Sequence, residues 1–387
     1  MNRVYLDNAA TTPLREEVIA AMVEVMKVHY GNPSSTYSIG QEAKAIIEEN
    51  RRKVAQYLQV SPAEIIFTSC GTEANNMIIK SCVNNLGIER IITSPLEHKC
   101  VAETSFEMKH TRGVELVYLK PNQKGDLDLN QLESLLQNSK KKTLVTLMHA
   151  NNEIANLLDI EKVATLCKQY QALYHSDTVQ TVGHLPLDFS RIKLDFASCS
   201  AHKFHGPKGA GFAFVRKFSG IKGLIVGGAQ ERGLRAGTEN VSGIVGLGKA
   251  LELAVEHMQE NTHYMEDIKA YAVEQLSQKL PGVIFNGRSA ERGNSLYTLL
   301  SVLLPFKNPL IGFQLDMRGI AVSQGSACSS GAAKPSMVML SILTDDQLEN
   351  TTPLRLSFSH MTTKQDIDRL VETLLEIKEM DIEKMNV

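Results

Sequence analysis

The chain has 387 residues, 43% hydrophobic and 22% charged, with a formal net charge of −2. This is the composition of a globular protein with ample material for a core and sets aside disordered and fibrous classes; at about 150 residues per domain it predicts two to three domains. No half is strongly basic, which argues against a nucleic-acid partner, and no apolar run approaches the roughly 20 residues that span a bilayer.

The N-terminal stretch Met1–Asp7 lacks the apolar core of a signal peptide. Six cysteines are scattered without a Cys-x-x-Cys pair, against a zinc ribbon or a disulfide framework. A reducing cytoplasm is the simplest location, and no metal site is expected.

From about Arg15 to Ala250, helical and short apolar segments alternate. Glu42–Leu58 reads as a helix and Glu64–Thr68 as a strand. The next segment, Ser69-Cys70-Gly71-Thr72-Glu73-Ala74-Asn75-Asn76, opens a helix running from Glu73 to Asn84. Gly71 permits a tight turn and Thr72 adds a hydroxyl beside free N–H groups, an anion site by geometry and dipole. The same start also serves a helix N-cap that binds nothing.

Arg90–Thr93 reads as a strand, followed by Ser94-Pro95-Leu96-Glu97-His98-Lys99. His98 there can stack on a ring or handle protons near neutral pH, or it is an ordinary loop histidine. Lys140–Lys142 reads as a solvated loop before a strand Thr143–Met148. A helix Ile160–Tyr170 and a strand Ala172–His175 follow. Asp177, in Ser176-Asp177-Thr178-Val179-Gln180, then stands at a strand end, where a carboxylate can hold a positive heteroaromatic nitrogen or cap the next segment.

The run Ile192–Ala197 leads through a strand Asp195–Ser198 into Ser198-Cys199-Ser200-Ala201-His202-Lys203. An amine held just past a strand end, partly desolvated, can have its pKa lowered enough to attack a carbonyl. Read alone, Lys203 is equally a surface lysine in a polar loop. Gly211–Val215 is the next strand. The alternation predicts an α/β layer with a mostly parallel sheet, whose ligands gather at the carboxyl ends of strands.

From Leu247 to Lys279 one long helical pattern reads as a connector to a second region. Beyond Gly282, short strands mix with terminal helices, ending in Lys364–Met380. We divide the chain into a large α/β domain over 15–250 and a smaller α+β domain over 251–387, to which residues 1–14 are assigned. Cys328, in Val322-Ser323-Gln324-Gly325-Ser326-Ala327-Cys328-Ser329-Ser330-Gly331, lies among small residues, unlike a core cysteine. Cys70, Cys82, Cys100, Cys167 and Cys199 read as packing residues. Arg355 offers a bidentate fork for a substrate carboxylate, or a surface ion pair.

A lysine amine, a carboxylate for a pyridinium nitrogen and a helix-start phosphate cradle together point to pyridoxal 5'-phosphate. There is neither a Walker loop nor a well-placed Gly-x-Gly-x-x-Gly for a nucleotide.

Several long stretches in order then resemble the cysteine desulfurases of the class V aminotransferase-like family, the NifS/IscS type. They are Tyr5–Thr12, Tyr30-Gly31-Asn32-Pro33-Ser34-Ser35, His149-Ala150-Asn151-Asn152-Glu153, Gln230–Asn240, the cysteine segment and the region of Arg355. The resemblance implies the type I fold of pyridoxal-phosphate transferases, with Lys203 carrying the cofactor covalently. It also implies that Asp177 pairs with the ring nitrogen, Gln180 faces the phenolic oxygen and His98 stacks on the ring. Gly71, Thr72, Ser200 and His202 would cradle the phosphate, with Thr238 supplied by the other subunit of a homodimer. Asn152 and Arg355 would hold the substrate, L-cysteine.

By the same resemblance, Cys328 takes the substrate sulfur as a persulfide. Alanine is released and the sulfur passes to an acceptor such as an iron–sulfur scaffold protein. A related lyase or aminotransferase, acting on selenocysteine or cysteine sulfinate, and a non-catalytic sulfur-assembly partner are the alternatives. The chain departs from the family pattern at Ala155, where glycine is usual, at Gln324, at Lys334-Pro335-Ser336-Met337 and at Ser359-His360.

Overall fold

The computed structural model describes residues 3–324 and 335–385. Its strands in chain order are β1 (Val4–Tyr5), β2 (Ile65–Thr68), β3 (Arg90–Thr93), β4 (Glu115–Tyr118), β5 (Thr143–Thr146), β6 (Leu173–Asp177), β7 (Phe196–Ser200) and β8 (Gly211–Val215). The C-terminal third adds β9 (Ile284–Phe285), β10 (Leu299–Leu304), β11 (Ile320–Ala321) and β12 (Thr352–Ser357).

Seven strands form one sheet in the order β2-β8-β7-β6-β5-β3-β4. Pairings from β7 through β6, β5 and β3 to β4 are parallel, and β8 runs against both its neighbours. Strands β2, β3, β5, β7 and β8 are buried along their whole length, as expected where helices cover both faces. One apolar cluster includes Phe67, Val145, Tyr174 and Phe212 together with Ile47, Val54 and Leu247 from helices. A second cluster joins Ile66, Ile91, Leu144 and Phe196 to Ala74, Met77, Ile78 and Val101.

The helices over this sheet are α1 (Glu16–Val28), α2 (Ser38–Tyr57), α3 (Gly71–Leu86), α4 (Lys99–Arg112), α5 (Leu129–Gln137), α6 (Ile160–Gln169) and α7 (Val241–Glu256). The expected single helix from Leu247 to Lys279 is broken at His257, whose φ of −100° and ψ of 10° separate α7 from α8 (Met258–Lys279). The elements α4, β4 and α5 extend the expected alternation.

Beyond α8, β9, β10 and β12 make a three-stranded antiparallel sheet. It is packed with α8, α9 (Ile311–Met317) and α12 (Lys364–Met385) around Leu276, Val302, Leu315, Leu356 and Leu370. Short helices α10 (Met337–Ile342) and α11 (Asp345–Asn350) precede β12. The first residues of the chain join this second layer. Val4 and Leu6 are in its core, and β1 pairs in parallel with β11. Among the described residues no helix is long and apolar enough to cross a membrane.

Ala155 adopts φ 62°, a left-handed conformation. Glycine adopts that conformation at no steric cost. Glu231 and Arg232 are also left-handed, and Glu231 is held by a buried fork. Arg51 Nη1 and Nη2 donate to its two oxygens at 2.7 Å, the Phe67 N–H donates to Oε2, and the Arg51 and Glu231 side chains are 3% and 2% exposed. An Arg51→Met variant leaves that carboxylate buried and unpaired, a loss of about 3 kcal/mol or more. Chemical denaturation should report a correspondingly lower unfolding free energy; a change under about 1 kcal/mol would contradict the assignment of this pair as an anchor.

Candidate active site

Lys203 ends a single 3-10 turn, Ala201–Lys203, that follows β7 directly. Its Nζ donates to the carbonyls of Ala9 and Ala10 at 2.6 and 2.8 Å. Burial lowers its pKa to about 8, helped by Arg355 and opposed by Asp177 and Asp7. A neutral amine is thus accessible near physiological pH, the property a carbonyl-attacking lysine needs.

Asp177 is the last residue of β6, and the parallel register sets it opposite Ser198 of β7. Two donors fix its carboxylate: Asn75 Nδ2 on Oδ2 at 2.8 Å and the Val179 N–H on Oδ1 at 3.0 Å. The Val179 bond bears on the capping reading of this aspartate, because it ties down the turn that follows. Gln180, buried, donates from Nε2 to Ala9 O at 3.2 Å.

The α3 start is not capped by its own N-cap residue, Cys70, whose side chain makes no cap bond. Instead Ser200, at the end of β7, accepts from the Gly71 N–H at 2.6 Å. A Cβ on Gly71 would stand 2.5 Å from Val179 Cγ2 and 3.2 Å from Ser200 Oγ, so only glycine allows this close approach. Thr72 is exposed on the same first turn. His202 directly precedes Lys203: its Nδ1 is 3.2 Å from Thr11 Oγ1, and burial, Lys203 and Lys208 lower its pKa to about 4.

A cleft of about 680 Å³ is lined by Glu97, His98, Asn152 and Arg355, with Tyr118 and Met337 at its margins. Arg355, on β12, donates from Nη1 to Asn152 O at 3.0 Å and from Nη2 to Asp7 Oδ1 at 2.8 Å. Its Nε is buried without a partner among the described residues, leaving a donor for an incoming acceptor. Lys203 and Gln180 line a second, smaller cavity of about 30 Å³ with Asn8, Ala9 and His184. The Arg355 and Lys203 charges nevertheless influence each other. His98 caps α4: its Nδ1 accepts from the Cys100 N–H at 3.3 Å.

These residues fit pyridoxal phosphate on structural grounds. A buried amine held only by carbonyls, a carboxylate aimed from a strand end, and a helix start kept flush against Ser200 by a glycine answer to its aldehyde, ring nitrogen and phosphate. Thr238 does not join them within one chain. It is exposed, and among the described residues its side chain has no hydrogen bond to the others. Cys328 and Lys334 lie outside the described residues.

Four participants were not singled out from sequence: Asp7, Asn75, Glu97 and Cys100. Asn75 is fully buried one turn after Gly71, and its i+4 spacing from that glycine was the available signal. Glu97 accepts from the Met148 N–H at 2.8 Å, and burial pushes its pKa well above the usual carboxylate range. Cys100, read as a packing residue, makes polar contacts instead: its Sγ is 3.0 Å from His98 Nδ1 and 3.1 Å from Asn75 Nδ2.

Comparison with known proteins identifies the family. The family model for aminotransferase class-V matches residues 4–370. Among curated relatives, a cysteine desulfurase IscS of Dictyoglomus turgidum is 40% identical, covering 97% of this chain and 94% of the relative. Another IscS, of Methanosarcina thermophila, is 38% identical over 97% and 91%. A solved NifS-like protein superposes with a TM-score of 0.88 at 36% identity, covering 98% of this chain and all of that one. A NifS-like protein of Rickettsia africae gives 0.86 at 30% identity over the same shares.

The pKa of about 8 has a direct signature. In the cofactor-free chain, trapping of Lys203 by a small aldehyde and borohydride should speed up about tenfold per pH unit until pH 8, then level off. Arg355→Gln removes a positive neighbour and should move that break upward. Peptide mass spectrometry reads the label, and a rate still climbing to pH 10 would refute the lowered pKa.

Proposed function

The chain belongs to the aminotransferase class-V family and is a pyridoxal-phosphate-dependent cysteine desulfurase; from that premise we propose how its own residues divide the conversion of L-cysteine to L-alanine. The observation that carries the assignment is the buried amine of Lys203, with its lowered pKa, next to the Asp177 strand end.

When bound, the cofactor supplies an electron sink for the carbanion formed at the substrate Cα. Lys203 would hold it and, as a neutral amine, would take the Cα proton and return one later. Asp177, fixed by Asn75 and the Val179 N–H, would hold the ring nitrogen, and Gln180 would hold the phenolic oxygen. Ser200, Gly71, Thr72 and His202 receive the phosphate at the α3 start, where backbone N–H groups and the helix dipole favour an anion. His202, already neutral at pH 7 by its lowered pKa, can donate a hydrogen bond there. Arg355 and Asn152 orient the substrate carboxylate in the cleft, for which Arg355 must share or release Asp7.

Cys328 acts as nucleophile toward the substrate sulfur. Its S–S bond forms as the substrate C–S bond breaks, so one L-cysteine and one enzyme thiol give one L-alanine and one enzyme persulfide. The persulfide is a reversible cap, transferable to an acceptor thiol. An iron–sulfur scaffold protein is the acceptor we favour. We place the enzyme in a reducing cytoplasm as a homodimer, in which the exposed Thr238 of one chain completes the phosphate site of the other. The assigned division into 15–250 and 1–14 with 251–387 puts Lys203 on the first part and Arg355 on the second.

Purified protein loaded with pyridoxal phosphate should turn L-cysteine into equimolar alanine and, with a reductant, sulfide. Cys328→Ala should cut sulfide release at least a hundredfold while leaving the cofactor absorption band in place. Lys203→Ala should abolish both products. If Cys328→Ala kept full turnover, the reading would shift to a lyase or aminotransferase acting on another amino acid.

A further inference from the structure

Asn75 has no exposed surface, yet its Oδ1 is buried without a partner. An unsatisfied buried carbonyl costs free energy, so the orientation of this amide needs a cause. The cause is on its other end. Nδ2 lies 2.8 Å from Asp177 Oδ2 and 3.1 Å from Cys100 Sγ. Turning the amide over would set Oδ1 against a carboxylate oxygen that can only accept, so Nδ2 is fixed as the donor to both.

The bond from Asn75 to the sulfur then has a fixed direction, and the Thr72 hydroxyl is a further hydrogen-bond partner of the same sulfur. Cys100 Sγ accepts from Asn75, which leaves its own S–H to be placed. His98 Nδ1 stands 3.0 Å from that sulfur. The same Nδ1 already accepts from the Cys100 N–H, so it presents a lone pair and the thiol donates to it. Burial, and then Asp177, push the Cys100 pKa up to about 12, which keeps the thiol protonated for this purpose. With Nδ1 occupied, the proton of the neutral imidazole belongs on Nε2.

We propose that Asn75 and Cys100 are positioning residues that join the Asp177 carboxylate to His98 through one hydrogen-bond chain and hold His98 as the Nε2–H tautomer. His98, which lines the cleft, thereby offers a donor from its Nε2 edge. Its lone pair is spent on α4. In the reaction it supports a neighbouring acceptor, and a base toward the substrate thiol has to be found elsewhere. This rests on the reading above that His98 lies against the cofactor, but the chain of bonds is a property of the protein itself.

Infrared spectroscopy tests it, because S–H stretching absorbs in a window clear of other protein bands. The full-length chain, measured both free of and loaded with pyridoxal phosphate, should show one S–H band shifted to lower frequency. That band should vanish in Cys100→Ala, and should return toward the free-thiol position in His98→Phe. In Asn75→Leu it should weaken in shift, as the sulfur loses its donor. Nitrogen NMR of labelled histidine should place the His98 proton on Nε2.

In the loaded enzyme, Cys100→Ala should lower kcat about fivefold with little change in KM, the loss of roughly one hydrogen bond. Cys100→Ser, which restores a donor and an acceptor, should recover most of it. A band insensitive to His98→Phe, an Nδ1–H tautomer, or serine and alanine variants with equal kcat would each overturn the proposal. Absence of alanine and sulfide from the unaltered enzyme, with the shifted band present, would instead sink the desulfurase reading and leave the hydrogen-bond chain standing.

Discussion

The carbonyls of Ala9 and Ala10 hold the Lys203 amine, and much of the site follows from that contact. The strap from Tyr5 to Thr12 reaches this position because its first residues are committed to the second layer, through β1 on β11 and a bridge from Asp7 to Ser357. Asn8 Nδ2 donates to Ser357 O, the Ala9 N–H to Ser357 Oγ, and Thr12 closes on His202 O. The strap therefore touches β12 at one end and the turn after β7 at the other. Asp7 meets Arg355 while Ala9 and Ala10 meet Lys203, so the two cationic side chains are brought within electrostatic range by one short backbone segment. Their mutual repulsion adds to burial in lowering the lysine pKa. Two carbonyl dipoles can accept from either an ammonium or an amine, so they position Lys203 without pinning its charge.

The seven-stranded sheet supplies the complementary constraint. Parallel pairing of β6 with β7 ends both strands at one edge, and a register slip of one residue would turn Asp177 to the opposite face of the sheet. Strand β8, antiparallel to β7, pairs Gly211 with Ser200. A Cβ at Gly211 would lie 2.3 Å from Cys199 O and 2.9 Å from Cys70 Cα. The end of β7 and the loop before α3 can approach each other only because this residue has no side chain. Ser200 thus meets the Gly71 N–H as a result of backbone packing, and the start of α3 is aimed by the sheet.

Much of this was legible in the chain, for a physical reason. Strands buried on both faces read as apolar runs, and the polar cluster that follows each run marks the carboxyl end where ligands gather. Arg90–Thr93 and Gly211–Val215 were bounded correctly because turn residues flank them. The edge strand β4 was not read: its apolar run Leu116-Val117-Tyr118 is only three residues long, and the strand is exposed or half-buried throughout. Helix α4 was missed for a related reason: its inner face includes Thr104 and Ser105 beside Val101 and Met108, so the apolar stripe is faint. The break at His257 has neither glycine nor proline to announce it. What sequence could not offer was the strap, where the partners of Asp7, Ala9 and Ala10 lie some two to three hundred residues away.

Cysteine shows how one residue type is made to serve different chemistry by environment. Burial pushes the thiols of Cys82, Cys167 and Cys199 far up, and that of Cys100 up to about 12. Only a thiolate attacks sulfur efficiently, so desolvation disfavours these four as nucleophiles. The three deepest ones fill space in the sheet and its helices. Cys100 is half-buried, and its protonated form has a use, since a thiol that keeps its hydrogen can donate to His98 while accepting from Asn75. An alanine there would pack as well and a thiolate would accept on both sides; only the neutral thiol passes a hydrogen bond onward. In a protein whose reaction moves sulfur, the same burial that disfavours a cysteine as a nucleophile qualifies it as a link between the Asp177 carboxylate and the histidine of the cleft.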